Sequence, residues 1–141
     1  MSQKVSKLKI WSADLDDQPG SVSEKLDALA AAGANLEFVF ARRRPESPGK
    51  GLIYVSPIKG KKQTDAARAA YFTETSELAV LKVEGSNRPG LAHRMTEAVA
   101  KAGINLRGLT ATVFGSKYVA FLAFDTYNDA ERGFKEIRKV K

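Results

Sequence analysis

Two short polar corners carry the clearest chemical content, Asp17-Gln18-Pro19-Gly20 and Asn87-Arg88-Pro89-Gly90. Each precedes a segment of helical periodicity. Backbone N–H groups at a helix start, next to a glycine, suit a ligand carboxylate. Gly20 and Gly90 add only a hydrogen where a chain or ligand must come close. Asn87 offers both donor and acceptor and can meet either end of a small zwitterion, whereas Asp17 only accepts, which favours an ammonium. The same side chains also suit Asx turns or caps on their own helices, and both readings stay open.

The corners belong to a repeat. Shifting the numbering by 70 superimposes Gly33-Ala34-Asn35-Leu36 on Gly103-Ile104-Asn105-Leu106, and in both copies the second glycine follows thirteen positions after the first. A fixed spacing without insertion marks two copies of one unit. Proline suits a first helical position, and the later glycine suits a left-handed helix stop. Asn35 and Asn105, just beyond those stops, are the second pair of polar candidates, with plain turn roles as the alternative. The repeat divides the chain into 1–72 and 73–141, with the second copy beginning at Ser76.

The elements that hold these corners follow from periodicity. Residues 7–14 begin with alternation and read as a strand, and Val22, Leu26, Leu29 and Ala30 form one helical stripe over 19–32. Leu36, Phe38 and Phe40 predict a strand from 35 to 43. A Pro/Gly turn cluster and Leu52–Val55 complete an antiparallel hairpin, ended by Pro57 and Gly60. The alanine-rich stretch from Thr64 to Tyr71 reads as a short helix capped near Thr64 or Asp65. In the second copy, Leu78–Val83 is apolar enough for a strand buried on both faces. A helix over 89–102 follows, and the apolar phase changes at Gly108 as a bulge requires. Residues 117–125 return with Val119, Phe121 and Ala123 alternating, and the last helix opens at Asn128-Asp129-Ala130. The order βαββα, twice, is the split β-α-β pattern: an α+β chain of two ferredoxin-like repeats, antiparallel sheets covered by helices on one face. A complete copy ends in a fourth strand. Little room exists for it between Tyr71 and Glu77; Ile137 to Lys141 supplies a short one, or another copy completes the edge.

Composition narrows the classes. The chain has 141 residues, 43% of them hydrophobic, and no cysteine. Disulfides, thiolate metal sites and thiol nucleophiles are thereby excluded. No apolar run spans a membrane and no N-terminal apolar segment reads as a signal, so a cytoplasmic protein is expected. The net charge of +7 gathers at Arg42-Arg43-Arg44, Lys59 with Lys61-Lys62, and Arg138, Lys139 and Lys141. No recognition-helix or stacking motif accompanies it, so solvated loops are preferred to nucleic-acid binding. An enzyme is not expected. The single histidine, His93, falls off the apolar stripe, and Asp14, Asp16 and Asp17 read as a solvated acidic turn. Phosphate-loop, dinucleotide and metal-ligand patterns are lacking, so no cofactor or metal is expected.

Strand, (Asp/Asn)-x-Pro-Gly, helix, Gly-x-Asn-Leu, strand resembles the ACT domain, a small-molecule-sensing module of amino-acid metabolism, and the chain resembles stand-alone tandem ACT proteins from Leu8 to Ile137. Asn87, Arg88, Gly90 and Asn105 are especially similar to the serine-sensing ACT domain of bacterial phosphoglycerate dehydrogenase. That resemblance implies that Asn87 and Asn105 hydrogen-bond an amino acid; in the first copy, Asp17, Gln18, Gly20 and Asn35 match. The first copy departs by having Asp17 for Asn, and Gly85 stands where the dehydrogenase has a ligand-binding histidine. The implied function is a non-catalytic regulatory module that binds a small amino acid and signals allosterically through domain or subunit contacts, as a homodimer or with a metabolic enzyme. A transcriptional regulator or docking subunit like the tandem-ACT glycine-cleavage repressor is the alternative.

Overall fold

A computed structural model describes residues 3–75 and 78–141; the expected start of the second copy at Ser76 lies outside them. In chain order the elements are β1 (Lys4–Leu8), β2 (Trp11–Asp16), α1 (Ser21–Ala31), β3 (Phe38–Arg43), β4 (Lys50–Ser56), α2 (Gly60–Ala69), β5 (Thr73–Glu74), β6 (Ala79–Ser86), α3 (Leu91–Lys101), β7 (Leu106–Phe114), β8 (Lys117–Phe124) and α4 (Tyr127–Ile137). The chain is α+β, with βαββα read twice. Two antiparallel sheets of four strands result, ordered β3-β4-β2-β5 and β1-β6-β8-β7.

Compact packing groups Lys9–Thr75 as one unit, while the segment ending at Leu8 joins the one ending at Lys141. In the Lys9–Thr75 unit, Trp11, Ala13, Leu15, Ile53 and Val55 turn one sheet face toward Leu29 of α1 and Ala67 of α2. In the other unit, Leu81, Val83, Ala120, Leu122 and Phe124 meet Leu91, Met95 and Val99 of α3 and Ile137 of α4. Each such large apolar side chain contributes about 1.5–3 kcal/mol on burial. Units this small need nearly all of it.

Several expectations are corrected. Residues 7–14 are two strands in different sheets: Leu8 pairs with Val80, while Trp11 pairs with Val55. The apolar phase changes between Ile10 and Trp11, adjacent residues that are both buried, and that break in the two-residue period marks the switch. The missing fourth strands are supplied unequally. β5 completes the first sheet beside β2 in two residues. The chain's own N-terminal strand, β1, fills the fourth place of the second sheet, and Ile137 to Lys141 forms no strand.

Strand β8 buries Tyr118, Ala120, Leu122 and Phe124, the phase opposite to Val119, Phe121 and Ala123. Both phases are apolar, so periodicity could not choose between them; the helices decide. Helix α2 starts at Gly60 rather than Thr64, because the Gln63 side chain accepts the Lys59 N–H and Lys61 pairs with Asp65 one turn on. The bulge at Gly108 is present as a register shift between Leu106 and Gly108.

Candidate functional site

Both corners have the same backbone. Ser21 N–H donates to Gln18 O and Leu91 N–H to Arg88 O, each at 3.3 Å. Gly20 (φ 91°, ψ −14°) and Gly90 (φ 78°, ψ 6°) are left-handed. Pro followed by a left-handed Gly is a type II turn. Pro19 and Pro89 are therefore turn residues rather than first helical residues, since a left-handed glycine cannot continue the helix. Neither Asp17 nor Asn87 caps its helix: α1 and α3 have no side-chain cap hydrogen bond, which leaves first-turn N–H groups open at each corner.

At the first corner a cavity of about 200 Å3 lies between the turn and strand β3, lined by Asp17, Gln18, Ser21, Arg42, Arg43 and Gly51. The acidic turn and the basic triplet of the sequence face each other here. Arg43 Nε is 2.8 Å from Asp17 Oδ2, Arg44 Nη2 is 2.9 Å from Asp14, and Lys50 Nζ is 2.7 Å from Asp16. Nothing in the sequence singles out Ser21, and Arg42 and Arg43 read there only as a solvated basic cluster, because only strand pairing brings β3 beside the turn. The detectable signal was charge complementarity between 14–17 and 42–50.

The Lys50 hydrogen bond, then its charge, holds Asp16 below its ordinary 3.8, and Asp16 raises Lys50 above its ordinary 10.5 in the same order of causes. A depressed carboxylate stabilises the fold above its unfolded pKa and loses that contribution as pH falls through the folded value. A raised amine loses its contribution as pH rises through its own folded value. Lys50→Met should therefore narrow the pH dependence of the melting temperature below pH 3.8 and above 10.5, as measured by melting scans.

The second corner is differently charged. Arg94 Nη1 donates to Pro89 O at 3.0 Å and Nε to Lys141 O at 3.1 Å, which brings a guanidinium against Gly90. Its counterpart in the first copy is Glu24, four residues after Gly20. Asn87 is anchored by its N–H to Ser116 O. The space a side chain at Gly85 would enter is met by Gln3 of the N-terminal segment, 3.6 Å away. The Gln3 side-chain amide and the hydroxyl of Tyr118, the residue paired with Gly85, are buried without a hydrogen-bond partner among the described residues.

Asn35 and Asn105 do not join their corners within a unit. Strand β3 runs parallel to β2, both being antiparallel to β4, so its start at Phe38 lies at the Trp11 end and its finish at Arg43 lies at the corner. Asn35 precedes that start. Likewise Asn87 sits at the Lys117 end of β8, and Asn105 precedes Leu106, which pairs with Phe124. A strand length, roughly 20 Å, separates the two Asn positions of a copy. His93 is a surface residue 3.7 Å from Glu97. Among the described residues no cluster of metal-ligating side chains occurs and no helix is long and apolar enough to cross a membrane.

Residues 79–140 match the ACT domain family. No curated protein matches the sequence. The regulatory subunit of aspartate kinase from Thermus thermophilus, in its ligand-free form, is 15% identical, with TM-score 0.66 over 99% of this chain and 97% of that one. A Bacteroides thetaiotaomicron protein is 17% identical, with TM-score 0.75 over 99% and 92%. The Thermus flavus subunit is 17% identical, with TM-score 0.60 over 97% and 95%. At these identities the likeness is one of fold. The ACT match covers the second copy, and the first is tied to it by the repeated βαββα order.

Proposed function

We propose that this chain is a non-catalytic regulatory module that binds a small amino acid at its Pro-Gly corners and passes that state to neighbouring subunits. The observation that carries the reading is the pair of corners built alike, each with an uncapped helix start behind a left-handed glycine. A ligand carboxylate would take the first-turn N–H groups. Asp17 would accept the ammonium in the first copy, and Asn87 and Arg94 would meet the ligand in the second. The opposite charges of Glu24 and Arg94 give the two corners different preferences. Because Asn35 and Asn105 lie a strand length from their corners, one ligand touching both kinds of position requires a different unit, in this chain or, in a homodimer, in a second copy. The edge strands expose apolar residues for such a homodimer: Val39 and Phe40 on β3, Leu109 and Val113 on β7.

A melting screen against the twenty amino acids tests this. One of them should raise the melting temperature, by an amount equivalent to about 2.7 kcal/mol at a hundredfold excess over Kd. Asp17→Ala or Asn87→Ala should remove the response of its own copy while apo stability stays within about 0.5 kcal/mol, as for surface changes generally. An unaltered response in both variants would sink the proposal.

A second reading, a regulatory subunit that docks on a separate enzyme, is supported by the likeness to the aspartate kinase regulatory subunit. Co-purification of an enzyme with the tagged chain would favour it. A salt-dependent shift of duplex DNA would instead favour the transcriptional alternative.

A further inference from the structure

The first unit contains a second cavity, away from its Pro-Gly corner and at the opposite end of β2. Its volume is about 340 Å3, and it is lined by Trp11, Arg68, Tyr71, Phe72, Thr73 and Glu74. That size is in the range of small-molecule sites. Trp11 and Phe72 are buried and form its apolar floor. Glu74 is directly opposite Trp11 in the β2–β5 pairing and so rises on the same sheet face. From the end of α2, the Arg68 guanidinium lies over the Trp11 ring at 5.7 Å. The remaining wall is Tyr71, whose backbone is left-handed (φ 67°) although it is not glycine, and whose ring is 82% exposed. Lys25 lies over the Tyr71 and Phe72 rings at 5.4 and 5.8 Å and donates to Ala70 O, so its charge is engaged at the rim.

The ionic state of the two charged walls decides the ligand. At the corner, Asp17 and Arg43 satisfy each other. Here, among the described residues, neither the Arg68 nor the Glu74 side chain has an ion-pair or hydrogen-bond partner, although both line one cavity. A planar fork of donors suits a carboxylate, a free carboxylate suits an ammonium, and aromatic surface suits an apolar body. We propose that this cavity binds a zwitterionic amino acid with an apolar or aromatic side chain. Its carboxylate rests on Arg68, its ammonium on Glu74, and its side chain against Trp11, Phe72 and Tyr71. The site is independent of the corner reading and survives if that reading fails.

Trp11 is the only tryptophan of the chain, so its emission comes from the floor of this cavity, and the variants below separate binding here from binding at the corner. The full-length protein is titrated with L-phenylalanine and with L-leucine while Trp11 is excited selectively. A saturable change in emission is expected with at least one of them. It should weaken roughly tenfold or more in Arg68→Ala and in Glu74→Gln, both surface positions, and persist in Asp17→Ala. Phenethylamine, which lacks the carboxylate, and 3-phenylpropionate, which lacks the ammonium, should each bind at least as weakly as L-phenylalanine binds those variants. No saturable change with either amino acid overturns the proposal. So does binding that ignores Arg68 and Glu74, or binding that disappears only in Asp17→Ala, which would assign the response to the corner.

Discussion

A chain starting at Lys9 is expected to lose the stability of its C-terminal unit while Lys9–Thr75 keeps its own. The removed strand β1 pairs Lys4 to Leu8 with Glu84 to Val80 and places Val5 against the core of that unit. It also carries Lys7, which pairs with Glu131 of α4. Each ladder hydrogen bond contributes about 1 kcal/mol net, and the backbone of β6 would become an unpaired edge. The total loss, roughly 3–5 kcal/mol, is comparable to the whole stability of a unit this small. Amide exchange reads the result by location. Protection should fall across Val80–Glu84, some seventy residues from the cut, and hold across Leu52–Val55 of β4. Loss confined to the Lys9–Thr75 unit would contradict the strand order.

Gly133→Ala is expected to destabilise that same unit, although alanine is the better helix former by about 0.5–1 kcal/mol. Gly133 is buried in α4, and a Cβ there would lie 2.8 and 2.9 Å from ring atoms of Phe124. Phe124 is itself fully buried, so its ring has no free space to yield. Overpacking of this kind costs about 1–3 kcal/mol, which outweighs the gain in propensity. The test is a double-mutant cycle. Phe124→Leu removes the ring atoms in contact, so Gly133→Ala should be less costly by about 1 kcal/mol or more in that background than in the parent. Equal cost in both backgrounds would mean that the ring is not the obstacle. The result bears on function because α4 packs beside α3, the helix behind the second corner.

The order of turn, helix and glycine stop at each corner was legible because it is local. Asp/Asn-x-Pro-Gly, a helix and a glycine stop occupy a few consecutive residues, and turn geometry is set by the side chains within it. The repeat made that pattern readable twice, together with the βαββα order, the hairpins and the bulge at Gly108. The first proline was misplaced by two positions because Pro-Gly serves a helix start and a type II turn equally well in sequence; only the left-handed φ of Gly20 and Gly90 separates them.

What the amino-acid sequence by itself determined was every choice that depends on neighbours along the chain: which segments alternate, where turns fall, and that two like units exist. Tertiary structure alone decided which segments meet. The assignment of Lys4–Leu8 to the second sheet, the burial of Tyr118 rather than Val119, the meeting of Arg43 with Asp17, and the gathering of Arg68 and Glu74 around Trp11 are all of this kind. The physical reason is that strand periodicity is identical for every partner, whereas pairing is selected by burial and charge summed over residues far apart in the chain.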